Sequence, residues 1–218
     1  MQIVVNKAHF PVTVLGPGRR IGIWVQGCSI GCKECVSQDT WAPDPQRRMP
    51  VAQLLAWCRK VGAGGLDGVT LSGGEPFDQA PALAELLQGL CQWRAQAGLD
   101  FDLLSYSGYP LKTLQQKHAA LLRHLDAIIP EPFVHSAPLT QVWRGSANQP
   151  LVPLSERGRQ RYAPYVDALA QPQDKRMRLL LDGDRVWYVG IPARGDMQAL
   201  EAQCQAKGVT LTQSSWRP

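Results

Sequence analysis

Cys28, Cys32 and Cys35 stand within eight positions of one another in "VQGCSIGCKECVSQDTW", residues 25–41. Thiols at spacings of four and three are too close for ordinary disulfide architecture, and such clusters more often serve metal or redox chemistry. Structural zinc takes four protein ligands, often as two separated pairs. Here no second pair follows, and His9, His118, His124 and His135 are isolated from one another. Electron-carrier iron–sulfur clusters also use a full protein ligand set. A cluster held by three thiolates leaves one iron open to a bound molecule. An open coordination position is what separates a catalytic metal from a structural one.

The remaining cysteines read differently. Cys58, Cys91 and Cys204 each fall on the apolar stripe of a predicted helix, where free cysteine behaves as a small hydrophobe. The cluster cysteines instead follow a predicted strand directly, in a loop punctuated by Gly27 and Gly31.

The elements that must position this loop alternate between strand and helix patterns. Strands are expected at 21–27, 66–74, 101–108, 125–133 and 141–147. Helices are expected at 51–61, with Val51, Leu54, Leu55, Cys58 and Val61 on one face, and at 80–97, with Leu83, Leu86, Leu87, Leu90 and Cys91. A third spans 111–125 with Leu111, Leu114, Leu121, Leu122 and Leu125. Strand followed by helix, repeated, implies an α/β fold with a parallel sheet and helices outside it. Beyond 150 the composition shifts to turn residues and charge. A shorter helix follows at 158–170, Asp182-Gly183 signals a hairpin, and Asp196 caps a last helix carrying Met197, Leu200 and Cys204. The reading is a core over 1–150 and a βα appendage over 151–218.

A chain of 218 residues with 44% hydrophobic content and 20 glycines has material for a core without disulfides. Its net charge of +5 comes from scattered pairs and triples of Arg and Lys, a solvated surface rather than a nucleic-acid patch. No apolar run approaches the roughly 18 residues of a membrane span. The N-terminus lacks the basic start, apolar segment and cleavage site of a secretory signal. The expectation is a cytoplasmic protein acting on neither membrane nor nucleic acid.

The loop Cys28-x3-Cys32-x2-Cys35 resembles the cluster loop of radical S-adenosylmethionine (SAM) enzymes. "LSGGEP" (71–76), at the end of the next predicted strand, resembles that superfamily's Gly-Gly-Glu segment. "GPGRRIGIWVQGC", "DTW", "YSGY" (106–109) and "WRGSANQ" (143–149) resemble anaerobic ribonucleotide reductase activating proteins, so the likeness spans about residues 14 to 150. It implies a partial (βα)6-type radical SAM barrel, a single [4Fe–4S] cluster on Cys28, Cys32 and Cys35, and reductive cleavage of SAM to a 5′-deoxyadenosyl radical. It also implies a glycyl radical partner protein and an electron donor such as flavodoxin or ferredoxin. Three departures stand out: Glu34 beside the last cysteine, "IIPEPF" after the fourth strand, and the extension past 150.

Ser72, Gly73, Gly74 and Glu75 are the expected SAM-binding segment. Glycines let backbone approach a ligand closely, and Glu75 meets the SAM ammonium or caps the following helix. Ser105 and Ser107 end the third strand, where βα folds place ligands, and serve the SAM ribose or carboxylate, or ordinary turn bonding. Arg144, Ser146, Asn148 and Gln149 line the adenosine end or shape a partner surface, with Asn148 the expected SAM contact. Trp24 and Trp41 shield the cluster or pack in the core. Two other functions compete: radical modification of a small molecule or peptide, and a non-enzymatic iron–sulfur or zinc module. Alanine at Cys28, Cys32 or Cys35 is expected to abolish iron incorporation in anaerobic reconstitution, while alanine at Cys58, Cys91 or Cys204 retains it. Loss of iron from a folded variant of the second group would overturn this division.

Overall fold

The computed structural model describes residues 1–171, 174, 176–182, 185–211 and 214–216. A seven-stranded sheet forms the frame, comprising β1 (Gln2–Val12), β2 (Arg20–Val25), β3 (Arg48–Pro50), β4 (Gly68–Gly73), β5 (Asp102–Tyr106), β6 (Ala127–Ile129) and β7 (Val152–Pro153), in the order β3-β1-β2-β4-β5-β6-β7. The central strands β2, β4, β5 and β6 run parallel, while β1, β3 and β7 pair antiparallel at the two sides. The α/β class holds, and the sheet is mixed where an all-parallel one was expected.

The parallel strands read as continuous apolar runs because helices or chain cover both faces. All six residues of β2 are buried. Helix α1 (Val51–Gly62) turns Val51, Leu54, Leu55 and Cys58 inward, and α2 (Ala80–Gln96) does the same with Leu83, Leu86, Leu87 and Leu90. These eight side chains join Ile21, Ile23, Val69, Leu71 and Leu103 in one core. The predicted helix over 111–125 divides into α3 (Leu111–Lys117) and α4 (Ala119–Leu122). His118 leaves helical geometry at φ −130°, although its N–H still reaches the Leu114 carbonyl at 2.8 Å.

Two sequence expectations need correction. Residues 141–147 are not a strand; they form turns around a single bridge from Gln141 to Leu169. The position beside β6 is taken by β7, so this segment has no strand to join. Conversely, β1 is an 11-residue strand that the alternation of strand and helix did not bring out, because it lies across β2 as a hairpin partner with two register shifts.

Beyond β7, α5 (Glu156–Tyr162) returns beneath the sheet, capped by Ser155, whose Oγ accepts the Gly158 N–H at 3.0 Å. A separate two-stranded sheet pairs β8 (Met177–Asp182) with β9 (Arg185–Gly190) antiparallel. This pairing fits the expected hairpin, although Gly183 of its turn is outside the described residues. Helix α6 (Asp196–Ala206) follows, with Gly195 at its N-cap and Asp196 at its first position. The Asp196 carboxylate accepts the Ala193 N–H at 2.7 Å. Among the described residues no helix is long and apolar enough to cross a membrane.

The end of the sheet away from the cysteines is pinned by charge. Arg20 of β2 and Asp102 of β5 are both fully buried and meet across the intervening β4. Arg20 Nη1 donates to Asp102 Oδ2 at 3.1 Å and Nε to Thr70 Oγ1 at 2.7 Å. Tyr162 of α5 donates its hydroxyl to the same Asp102 carboxylate. Breaking a buried pair by deleting one partner strands the other charge, at a cost of about 3–5 kcal/mol. Asp102→Ala should therefore lower unfolding free energy by that amount in urea titration. A loss under about 1 kcal/mol would show that the pair behaves as a surface ion pair.

Candidate metal centre

The chain leaves β2 at Val25 and runs through the cysteine loop, whose two ends are drawn together by the backbone. Gly27 N–H donates to the Thr40 carbonyl at 2.7 Å and Cys28 N–H to the Trp41 carbonyl at 3.1 Å. Gln26 fastens the base from inside, its Nε2 donating to the carbonyls of Asp39 and Ala42 at 3.1 and 2.6 Å. The next strand end locks on from the side. Gly74 N–H reaches the Val25 carbonyl and Glu75 N–H the Gly27 carbonyl, each at 2.8 Å. A Cβ on Gly74 would lie 2.0 Å from the Gly27 oxygen. Glycine is required there because two loop backbones touch.

Asp78, just past the Gly-Gly-Glu segment, grips the cysteine loop a second time. Its carboxylate accepts the Ser29 N–H at 2.8 Å and the Ser29 hydroxyl at 3.0 Å. Tyr109 donates to it from the third strand end at 2.7 Å. Three strand ends therefore meet around Cys28, Cys32 and Cys35. Their partly buried thiols, with Ile30, Trp41, Ser72, Gly73, Gly74, Glu75, Ser107 and Gln149, line a cavity of about 110 Å³.

Burial raises all three thiol pKa values, while backbone N–H groups of Gly31 and Ile30 at Cys28, of Phe133 at Cys32 and of Ser37 at Cys35 oppose the shift. Such donors stabilise sulfur that carries charge, and they tune cluster potentials. Among the described residues no three His, Cys, Asp or Glu side chains converge on a point able to hold one ion. A cluster makes no such demand, since each thiolate binds its own iron. The residues present therefore fit a three-thiolate cluster: three sulfurs around one cavity, Ser37 N–H 3.4 Å from Cys35 Sγ, and backbone beside them cleared by Gly74.

Glu75 is 1% exposed. It accepts the Phe77 N–H at 3.0 Å, the Ser107 hydroxyl at 2.9 Å and the Gly108 N–H at 2.7 Å. It thus caps the short helical turn Pro76–Gln79 and ties the ends of β4 and β5 together while facing the cysteine cavity. Burial outweighs these donors and pushes its pKa up to about 7.

The other expected site residues divide. Ser72, Gly73 and Ser107 line the cavity. Ser105 does not line it; it is buried, and its hydroxyl donates to the Tyr106 carbonyl. Strand alternation explains this: Ser105 and Tyr106 face opposite sides of β5. Tyr106, which the sequence reading passed over in favour of the serines, lines the cavity and donates its hydroxyl to the Trp143 carbonyl at 2.7 Å. Asn148 does not line it either; it is exposed and donates to the Pro132 carbonyl at 2.8 Å. Arg144 is buried and spends its guanidinium on the carbonyls of Val142, Tyr165 and Val166, fastening the chain after α5. Ser146 accepts the Val134 N–H, and Gln149 accepts the N–H groups of Gly145 and Ser146. Trp24 packs with Val12, Val14, Leu15 and Val189, whereas Trp41 faces the cysteines.

Residues 14–152 match the 4Fe-4S single cluster domain family. The chain belongs to this family of radical SAM activases. The anaerobic ribonucleoside-triphosphate reductase-activating protein of Haemophilus influenzae is 31% identical over 150 residues, covering 65% of this chain and 92% of that protein. The pyruvate formate-lyase-activating enzyme of Staphylococcus aureus is 34% identical over 122 residues, covering 54% of this chain and 47% of that enzyme. Among solved structures, QueE from Escherichia coli superposes with a TM-score of 0.44 at 18% identity, covering 60% of this chain and 70% of QueE. Membership carries the expected [4Fe–4S] cluster and SAM with it, and makes this activase-family chain an enzyme.

The Glu75 carboxyl gives the metal-free protein a pH signature. Its folded pKa near 7 lies above the ordinary 4.5, so the folded state holds more protons between those values. The contribution of this group to stability is then full below about pH 4.5 and is lost as pH rises through about 7, on the order of 3 kcal/mol. Unfolding free energies measured across that range should fall less steeply in Glu75→Gln. An unchanged slope would remove Glu75 as the source.

Proposed function

We propose that this protein reductively cleaves SAM and passes the radical to a glycine of a partner protein. The observation that carries the reading is the single cavity shared by Cys28, Cys32 and Cys35 with Ser72, Gly73, Gly74, Glu75 and Ser107. Cys28, Cys32 and Cys35 would hold the cluster, with one position left for SAM. When bound, the cluster supplies the electron that splits SAM into methionine and the 5′-deoxyadenosyl radical.

The chain's own contribution is positional. Holding reacting groups in place supplies much of the advantage in such reactions, and a cofactor enzyme adds orientation and exclusion of competing reactions. Gly73 and Gly74 present backbone beside the cysteines. Glu75 offers a carboxylate toward the SAM ammonium while staying fixed by Phe77, Ser107 and Gly108. Ser105 and Asn148, which do not line the cavity, are left out of this assignment. A reduced flavodoxin or ferredoxin supplies the electron in the cytoplasm. Residues 1–150 form the radical SAM core, with 151–218 completing it.

Reconstituted anaerobically with iron and sulfide and reduced with dithionite, the protein should convert SAM to 5′-deoxyadenosine and methionine. Gly74→Ala should slow this by about a hundredfold, the usual effect of an ångström-scale misplacement near the reacting atoms, because its Cβ displaces the Gly27 carbonyl. A fully loaded wild-type cluster that never turns over SAM would sink the proposal.

A further inference from the structure

The cysteine cavity, at about 110 Å³, is smaller than the roughly 300 Å³ at which pockets for organic ligands begin. A second cavity of about 520 Å³ adjoins it and shares Cys35, Ser72, Gly73, Tyr106 and Phe133. Of the two, the larger has room for SAM. Ser72 and Gly73, already assigned to SAM, stand where the cavities meet. A SAM held at the cysteines by its methionine end must therefore direct its adenosine end into the larger cavity.

One wall of that cavity comes from the extension. It runs from Gly190, the last residue of β9, to Gln198 in the first turn of α6, and Trp216 joins it. Every residue of this wall lies beyond 152, where the family match ends. The family segment thus supplies one side of the chamber, with Leu15, Trp24 and Tyr106, and the extension supplies another.

The wall is fixed by its own bonds. Ile191 N–H donates to the Arg176 carbonyl at 3.0 Å, and a Cβ on Gly190, at φ 138°, would lie 2.0 Å from that same oxygen. Arg194 Nη2 donates to the carbonyls of His135 and Ala137 on the opposite rim. Trp216 Nε1 donates to Glu201 Oε1 at 3.1 Å. Ser215 ties the tail to the cysteine loop: its carbonyl accepts the Asp39 N–H at 3.0 Å and its hydroxyl donates to the Val36 carbonyl at 2.9 Å. Surface held in place beforehand loses less freedom when a ligand binds.

The wall's chemistry suits a nucleoside. Ile191, Met197 and Trp216 offer apolar and aromatic surface for the flat face of a purine. Gln198, with Ser37 and Gln38 of the family segment, can both donate and accept, as the adenine edge and ribose hydroxyls require. Resting on the placement of SAM at Ser72 and Gly73, we propose that Ile191, Met197 and Trp216 bind the adenosine half of SAM. The SAM site of this chain is then completed by residues outside the family match.

The test uses the full-length protein, reconstituted with iron and sulfide and left unreduced, so that SAM binds without being consumed. Equilibrium dialysis with radiolabelled SAM gives the dissociation constant, and hydrogen–deuterium exchange with and without SAM gives amide protection. Trp216→Ala should weaken SAM binding about tenfold, within the range for losing an aromatic partner of a base. Ile191→Trp, which fills the cavity, should weaken it at least as much. Both should keep the iron content and melting temperature of wild type. Val209→Ala, at an exposed position outside the cavity, should bind SAM as wild type does. In wild type, SAM should slow exchange of the backbone amides of 190–198. SAM binding without that protection would overturn the proposal, as would folded, iron-loaded wall variants that keep the wild-type dissociation constant. Should a variant lose iron or unfold, the wild-type exchange result decides alone. A fully loaded wild type that binds no SAM would instead bring down the reading of the SAM site, and this inference with it.

Discussion

The carbonyl of Gly27 is the point on which the site turns. It accepts the Glu75 N–H, and Gly74 passes so near that a methyl group would overlap it. Two loops from adjacent parallel strands are thereby brought to backbone contact, at the C-terminal edge where open α/β sheets place their ligands. The remaining bonds follow from that approach. Asp78 can reach Ser29 only because the turn carrying it starts at Glu75. Glu75 can bridge to Ser107 and Gly108 only because β5 ends level with β4.

At the other end of the strands the constraint is charge. Arg20, Asp102 and Tyr162 tie β2 to β5 across β4 and hold α5 below the sheet. Buried ion pairs add little net stability over a well-packed apolar substitute, but they penalise arrangements that leave one member alone. One end of the sheet is thus fixed by charge pairing and the other by steric contact, with an apolar core between them.

Much of this was legible in the sequence. The cysteine spacing, the Gly-Gly-Glu segment and the leucine stripes of α1 and α2 each mark short-range patterns that map directly onto geometry. Cys58 is indeed fully buried within the core. What failed depended on neighbours distant in sequence. Residues 141–147 look strand-like by composition, yet β7 occupies the edge they would need. Ser105 stands beside the right residues but on the wrong face of its strand, and counting alternate positions along β5 would have chosen Tyr106. Asn148 carries family-like chemistry and is spent on the Pro132 carbonyl. Glu75 combined two roles that had seemed exclusive, as cap and as cavity carboxylate.

The bonds from Ser215 to Val36 and Asp39 join the tail to the loop of Cys35. Their consequence is thermodynamic linkage. A group that steadied this loop on binding would also favour the tail's bonds, and those bonds would favour its binding by the same factor. The loop that carries Cys35 and the chain's tail thus share one contact, between residues 179 positions apart along the chain.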